Sequence, residues 1–219
     1  MARLLFEKTG NAVWISHLDL MRLFQRAFKR AGLPLTHTQG YNPRPSVSIA
    51  LPLSVGVSSH CELLDFDLDC LNVSVEAIKG QLNDALIDGV NVLKVYTDGR
   101  KIRDLSLLRS MITLEYDGGV PAGAVSALQT LFTSQSLIVP KKTKNGVQDQ
   151  DVAPMIRELT VSQMNANEIG IELLACCQNP TLNPMQLVAA INLYAEEFVP
   201  DFAKCCRLEV YDAQKTVFR

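Results

Sequence analysis

Four times along this chain the hydrophobic pattern switches from alternate residues to a spacing of three and four and back, and that repeated switch restricts the fold most. Residues 3–8 alternate as a strand and end at the turn Thr9-Gly10-Asn11. Ser16 then suits a helix N-cap with Asp19 three residues on, Gly32 stands where a C′ glycine is expected, and Pro34 bars a restart. Leu20, Phe24, Ala27, Phe28 and Ala31 recur as one apolar stripe between those signals. Residues 46–53 and 61–69 read as strands; in the second, Leu64, Phe66 and Leu68 alternate with Asp65, Asp67 and Asp69, the pattern of a sheet with one wet face. Ser74, Ala77, Ile78, Leu82 and Leu86 give a second helix closed by Gly89, and residues 90–96 return as a strand.

The order then recurs. Residues 98–108 are polar and basic and read as a linker. Strands are expected at 111–116, 136–139, 152–163, 168–176 and 205–211, with helices at 123–133 and 184–198, the second opened by Asn183 before Pro184. The stretch 141–146, with Lys141, Lys142 and Lys144, reads as a loop between the middle strands. Strand, helix, strand, strand, helix, strand, taken twice, makes the fold class α+β: two tandem ferredoxin-like (βαββαβ) units with mainly antiparallel sheets, at residues 1–97 and 109–219. The halves share no obvious identity, so the repeat is one of architecture.

Charge is distributed unevenly. Residues 1–45 hold seven Lys and Arg against Glu7 and Asp19, a surplus of five, while the whole chain carries −2, so the remainder stands at −7. A basic end on an acidic body marks a local docking face. On the first helix Arg22, Arg26, Lys29 and Arg30 share a face, and Arg44 follows in the stiff loop Asn42-Pro43-Arg44-Pro45. Arginine's planar fork suits phosphate and stacks beneath bases, and Tyr41 adds an aromatic surface beside it. The expectation is that these cations pool into one exposed concavity, with Gln39 and Asn42 supplying hydrogen bonds.

Other constellations have plainer readings. His17, in the first turn, is a general acid–base group in principle, but no nucleophile or carboxylate is fixed beside it by spacing; His37 follows on the next segment, where the two are free to approach. Cys176-Cys177 and Cys205-Cys206 invite a zinc reading. In a split-βαβ sheet, however, the third and fourth strands flank the first, roughly 10 Å apart, and adjacent residues point to opposite faces. Four thiolates therefore cannot converge, and these cysteines read as small buried hydrophobes, with Cys61 and Cys70 too remote to help. No phosphate-binding glycine loop, metalloprotease helix, nucleophile elbow or iron–sulfur spacing occurs, which points away from an enzyme and toward no cofactor. No apolar run reaches the roughly 18–20 residues of a membrane span, and charge at Arg3 and Glu7 comes too early for a signal peptide, so a soluble cytoplasmic protein is expected.

Ser16-His17-Leu18-Asp19-Leu20-Met21-Arg22, Arg30-Ala31-Gly32-Leu33-Pro34, Gln39-Gly40-Tyr41-Asn42-Pro43-Arg44-Pro45 and Ala50-Leu51-Pro52-Leu53-Ser54-Val55-Gly56 resemble the radical-SAM-linked domain of unknown function. That family occurs alone or fused behind a radical SAM enzyme, and its gene surroundings imply RNA or ribosome business. The resemblance implies a radical SAM enzyme as partner, which would bring the iron–sulfur chemistry, and RNA as the shared substrate. Tyr41 stands where relatives often carry Phe, and His37 where they often carry Ser, which weakens a paired-histidine role. At the level of fold alone the chain also looks like the CRISPR repeat-processing endoribonucleases. The leading expectation is thus an RNA-recognition adaptor that uses Arg22, Arg26, Lys29, Arg30, Gln39, Tyr41, Asn42 and Arg44. The alternatives are a metal-independent endoribonuclease working through His17 and a pure protein-interaction module.

Overall fold

The computed structural model of the chain describes residues 1–69, 73–143 and 146–219, and divides them into two compact units, Met1–Asp104 with Phe218–Arg219, and Leu105–Val217. In the first unit β1 (Ala2–Lys8) leads through a short 3₁₀ turn to α1 (His17–Arg30). Then come β2 (Val47–Ile49), β3 (Ser58–Phe66), α2 (Val75–Ala85) and β4 (Val90–Tyr96). All pairings are antiparallel, β4 with β1, β1 with β3, and β3 with β2. The order β4-β1-β3-β2 is that of a split βαβ, in which each helix connection skips one strand and both helices share a face.

The helix-facing residues of the sheet explain why. Leu4 pairs with Leu64 and Phe6 with Glu62 across β1 and β3, so Leu4, Phe6, Leu64 and Phe66 share the face that α1 covers. Phe24 meets Phe6 edge-on at 4.7 Å between ring centres, and Phe28 meets Phe66 at 5.0 Å. Such offset geometries suit aromatic quadrupoles. Leu20, Phe24, Ala27 and Phe28 are buried as their spacing requires.

Two expectations about this sheet change. Its far face is not uniformly wet. Arg3 is 5% exposed, its guanidinium clasps both oxygens of Asp65 at 2.5 and 3.0 Å, and the ring of Phe218 lies 5.6 Å from it. Lys8 is buried as well, its Nζ donating to the carbonyls of Val13 at 3.0 Å and Ile15 at 2.8 Å beneath the entry to α1, where it faces the charge of buried Glu62. Two of the seven N-terminal cations are therefore structural. Alternation assigns a face but not what covers it.

The second unit repeats the order with one insertion. β5 (Leu105–Glu115) and α3 (Ala124–Phe132) are followed by a separate hairpin of β6 (Ile138–Thr143) and β7 (Gly146–Asp151). Then come β8 (Ile156–Gln163), β9 (Glu168–Cys176), α4 (Met185–Tyr194) and β10 (Phe202–Asp212). The sheet order β10-β5-β9-β8, again antiparallel throughout, is the split βαβ a second time. The stretch 136–139, expected as a sheet strand, instead enters the hairpin, and Lys144 and Asn145 of the expected lysine loop lie outside the described residues. Within 98–108, Ile102–Asp104 forms a 3₁₀ turn and β5 starts at Leu105. Asn183 does cap α4, its Oδ1 accepting from the Met185 amide at 3.1 Å while its own amide donates to Gln186 at 3.0 Å. That helix stops at Tyr194, with residues 196–198 turning as 3₁₀.

One margin strand in each unit is met by an amide side chain from a helix. Asn83 on α2 donates to the carbonyl of Val92 on β4 at 3.1 Å and accepts from its amide at 2.7 Å. Gln129 on α3 accepts from the Val161 amide on β8 at 2.9 Å. Strands β9 and β10 flank β5, as the cysteine argument requires, and Cys177 and Cys205 are buried with thiols that burial pushes up to about 12. Cys70 lies outside the described residues. Among those residues no group of His, Cys, Asp and Glu could hold a metal ion, and no helix is long and apolar enough to cross a membrane.

Candidate functional site

Helix α1 is firmly closed at both ends. The Ser16 hydroxyl accepts from the Asp19 amide at 3.2 Å and bonds the Asp19 carboxylate at 2.7 Å, and Arg22 pairs with that carboxylate at 2.9 Å. These two partners, the hydroxyl first, hold the Asp19 carboxyl below its ordinary range. At the other end Gly32 takes φ +69°, its amide bonds the Lys29 carbonyl at 3.2 Å, and the Leu33 amide bonds the Phe28 carbonyl at 2.9 Å. That pair of bonds is a Schellman motif, which glycine's missing Cβ permits. Lys29 and Arg30 occupy the last turn, where cations complement the helix dipole.

All four cations of α1 are exposed, but they do not pool. At roughly 100° per residue they sweep an arc of about 100° with Lys29 at one margin and Arg30 at the other. Arg30 turns to α2, where its guanidinium donates to the Ala85 carbonyl, and it lines a recess with Gln81, Asp84 and Leu86. Arg22 and Arg26 border a smaller hollow of about 370 Å³ with Ile15, Asp19 and Leu23. Lys29 instead borders a groove of about 500 Å³ toward residues 33–45, with Gln25, Pro34, Leu35, His37 and Pro45. The single concavity expected from the sequence is thus three hollows, because a 14-residue helix facing neighbours on two sides spreads its exposed arc between them.

The Asn-Pro-Arg-Pro loop is a small pinned excursion. His37 bridges Pro45, the Thr38 amide bonds the Arg44 carbonyl at 2.8 Å, and the Arg44 amide bonds the Thr38 hydroxyl at 3.0 Å. Its base is held by the Thr36 amide on the Asp67 carbonyl at 2.9 Å and the Asp67 amide on Ser46 at 3.1 Å. The tip from Gln39 to Pro43 stands clear, with Gln39, Asn42 and Arg44 exposed and Tyr41 projecting fully into solvent. Among the described residues, no side-chain hydrogen bond or ion pair engages Arg26, Lys29, Gln39, Tyr41, Asn42 or the Arg44 guanidinium.

The histidines separate. His17 begins α1, its Nδ1 inaccessible and without a hydrogen-bond partner among the described residues, whereas His37 lines the groove at the helix's far end. Thirteen rises of the 14-residue helix put its two ends about 20 Å apart, too far for one acid–base pair. The sequence reading overlooked Gln25, although it lies one turn before Lys29, the spacing that makes helix residues neighbours. It also overlooked Trp14 and Leu18, which stand 64% and 66% exposed at the start of α1. The indole packs over Gly56, where a Cβ would come within 3.3 Å of the ring. A large apolar residue just before an N-cap was the available signal.

A family described as uncharacterized proteins conserved in bacteria (DUF2344) matches residues 2–184. Among solved structures the chain is similar to one from a Cbf5-Nop10-Gar1 complex, at 8% identity and TM-score 0.51, over 95% of this chain and 48% of that one. At that identity the likeness speaks for the α+β fold alone, and this chain spans about half the length of that relative. An unknown protein from Galdieria sulphuraria aligns at 14% identity over 94% of this chain and 96% of its own, but a TM-score of 0.26 is too loose to bear on the fold. No curated protein matches the sequence.

Proposed function

This chain belongs to the bacterial DUF2344 family, and from that premise we propose that it is an RNA-recognition adaptor that holds a single-stranded segment for a radical SAM partner enzyme. The observation that carries the RNA half is the pinned loop tip. A tyrosine projecting fully into solvent from a loop pinned at its base, with Arg44 beside it and the exposed cations Arg26 and Lys29 on the adjoining helix, supplies a stacking face and phosphate contacts. Arg22 contributes more weakly because Asp19 offsets it, and Arg30 least because it is engaged with Ala85. The partner enzyme rests on the likeness of the 16–56 motifs, and it would supply the cluster chemistry.

Fluorescence anisotropy with labelled single-stranded RNA tests the RNA half. Binding should weaken with salt at a log–log slope of about −3, the value for roughly four phosphate contacts on a single strand. No affinity, or affinity unmoved by salt, rejects it. A second reading, a protein-docking module, is favoured by the exposed Trp14 and Leu18 at the start of α1. Copurification with the enzyme that survives nuclease treatment and is lost on Trp14→Ala would support that reading over the first.

A further inference from the structure

The groove beside Lys29 has features of a built site. Its apolar lining comes from Phe28, Leu33, Pro34, Leu35 and Pro45, the first two fully buried, and Gln25, Lys29 and His37 line it as well. At about 500 Å³ it falls within the range of ordinary small-ligand sites. Both walls are fixed before any ligand arrives. The Schellman bonds after Phe28 hold one, and the His37–Pro45 bridge with the two Thr38–Arg44 bonds holds the other.

The chemistry on offer selects its occupant. Proline faces and an imidazole receive a flat ring, one amide offers a donor and an acceptor to that ring's edge, and one ammonium meets a nearby anion. A purely apolar ligand would leave Lys29 and Gln25 unused. A heterocycle carrying a phosphate uses every group. The tip that bears Tyr41 and Arg44 grows from the groove's own wall, so a strand seated here meets a second aromatic and a second cation at its next nucleotide.

We infer that the groove between the end of α1 and residues 33–45 is a specificity pocket for one unstacked base of a single-stranded RNA. The base lies on Pro34, Leu35 and Pro45 against His37, its edge reads Gln25, and its phosphate rests on Lys29. This deepens the RNA-binding reading and depends on it. That reading says which face binds; the pocket says where sequence is discriminated.

The full chain is titrated with labelled oligo(A), oligo(C), oligo(G) and oligo(U), and compared with Gln25→Leu and His37→Ala, each checked by circular dichroism. Wild type should rank the four, and Gln25→Leu should compress that ranking to within about twofold while keeping the salt slope. His37→Ala should weaken all four by about tenfold, the scale of one lost base stack. Photocrosslinking of 4-thiouridine RNA to wild type, mapped by mass spectrometry, should mark the peptides holding Gln25 and His37 whatever the variants do. If wild type binds RNA but crosslinks elsewhere, or both variants keep its ranking and affinity, the pocket is wrong and the adaptor reading stands. If wild type binds none of the four, both are lost.

Discussion

The connection from first helix to second sheet strand is built in two different ways in the two units. In the first unit it is a pinned proline loop with an exposed tyrosine tip; in the second it is the β6–β7 hairpin, whose Gln150 bonds Gln186 on α4 at 3.2 Å. The helices that precede these connections differ as sharply. Helix α1 presents four cations, while α3 (Ala124–Phe132) contains no charged residue at all. The lesson is that one strand order tolerates very different surfaces: the scaffold is kept while the charge of the first helix and the build of its following loop change.

The largest expected effects probe the cores that this scaffold shares. Phe24→Ala and Phe132→Ala, both at buried helix positions, should each cost about 3–5 kcal/mol in chemical denaturation. Among molecules that remain folded, only the first should lose RNA affinity; equal losses would erase the contrast between the units. Lys8→Met is expected to cost about 1–3 kcal/mol, since it takes the ammonium donor away from the Val13 and Ile15 carbonyls. Burial holds the Lys8 ammonium below its ordinary value of 10.5, so the unfolded chain keeps that proton to higher pH than the folded one. Stability from this group should therefore rise with pH between the lowered value and 10.5, and melting curves of Lys8→Met should lack that rise.

Smaller effects sharpen the contrast. Arg26→Glu should weaken RNA binding by about tenfold at low salt, against no more than about twofold for Thr130→Glu on the exposed side of α3. Ser16→Ala should cost about 1 kcal/mol in a thermal melt, and α3 has no counterpart because Gly123 gives it no side-chain cap. The same change removes the first cause of the low Asp19 carboxyl. The Asp19 contribution, complete above 3.8 and lost as pH falls through the depressed value, should fade at higher pH in the variant than in the wild type.

Much of this was legible beforehand because local rules and the tertiary fold agree. Ser16, Gly32 and the stripe from Leu20 to Phe28 define α1 almost residue by residue, and the strand order follows from the alternation of patterns. What escaped depends on neighbours remote in sequence. Arg3 and Lys8 look like surface charge until Asp65 and the Val13 and Ile15 carbonyls close on them, and Arg30 counts as available until α2 presents Ala85. The hairpin was hidden by Pro140 and its lysines, which read as loop even though Ile138 through Lys142 pair back to Asp151 through Val147. Of the proposed site, the residues were visible but their partition into separate hollows was not.

The Asn83 amide clamped on Val92 has a wider reach than its two bonds suggest. By filling the outward donor and acceptor of Val92, it removes one rung from the backbone template on which an incoming chain would stack. At that rung a visiting strand meets an amide side chain instead of open peptide groups.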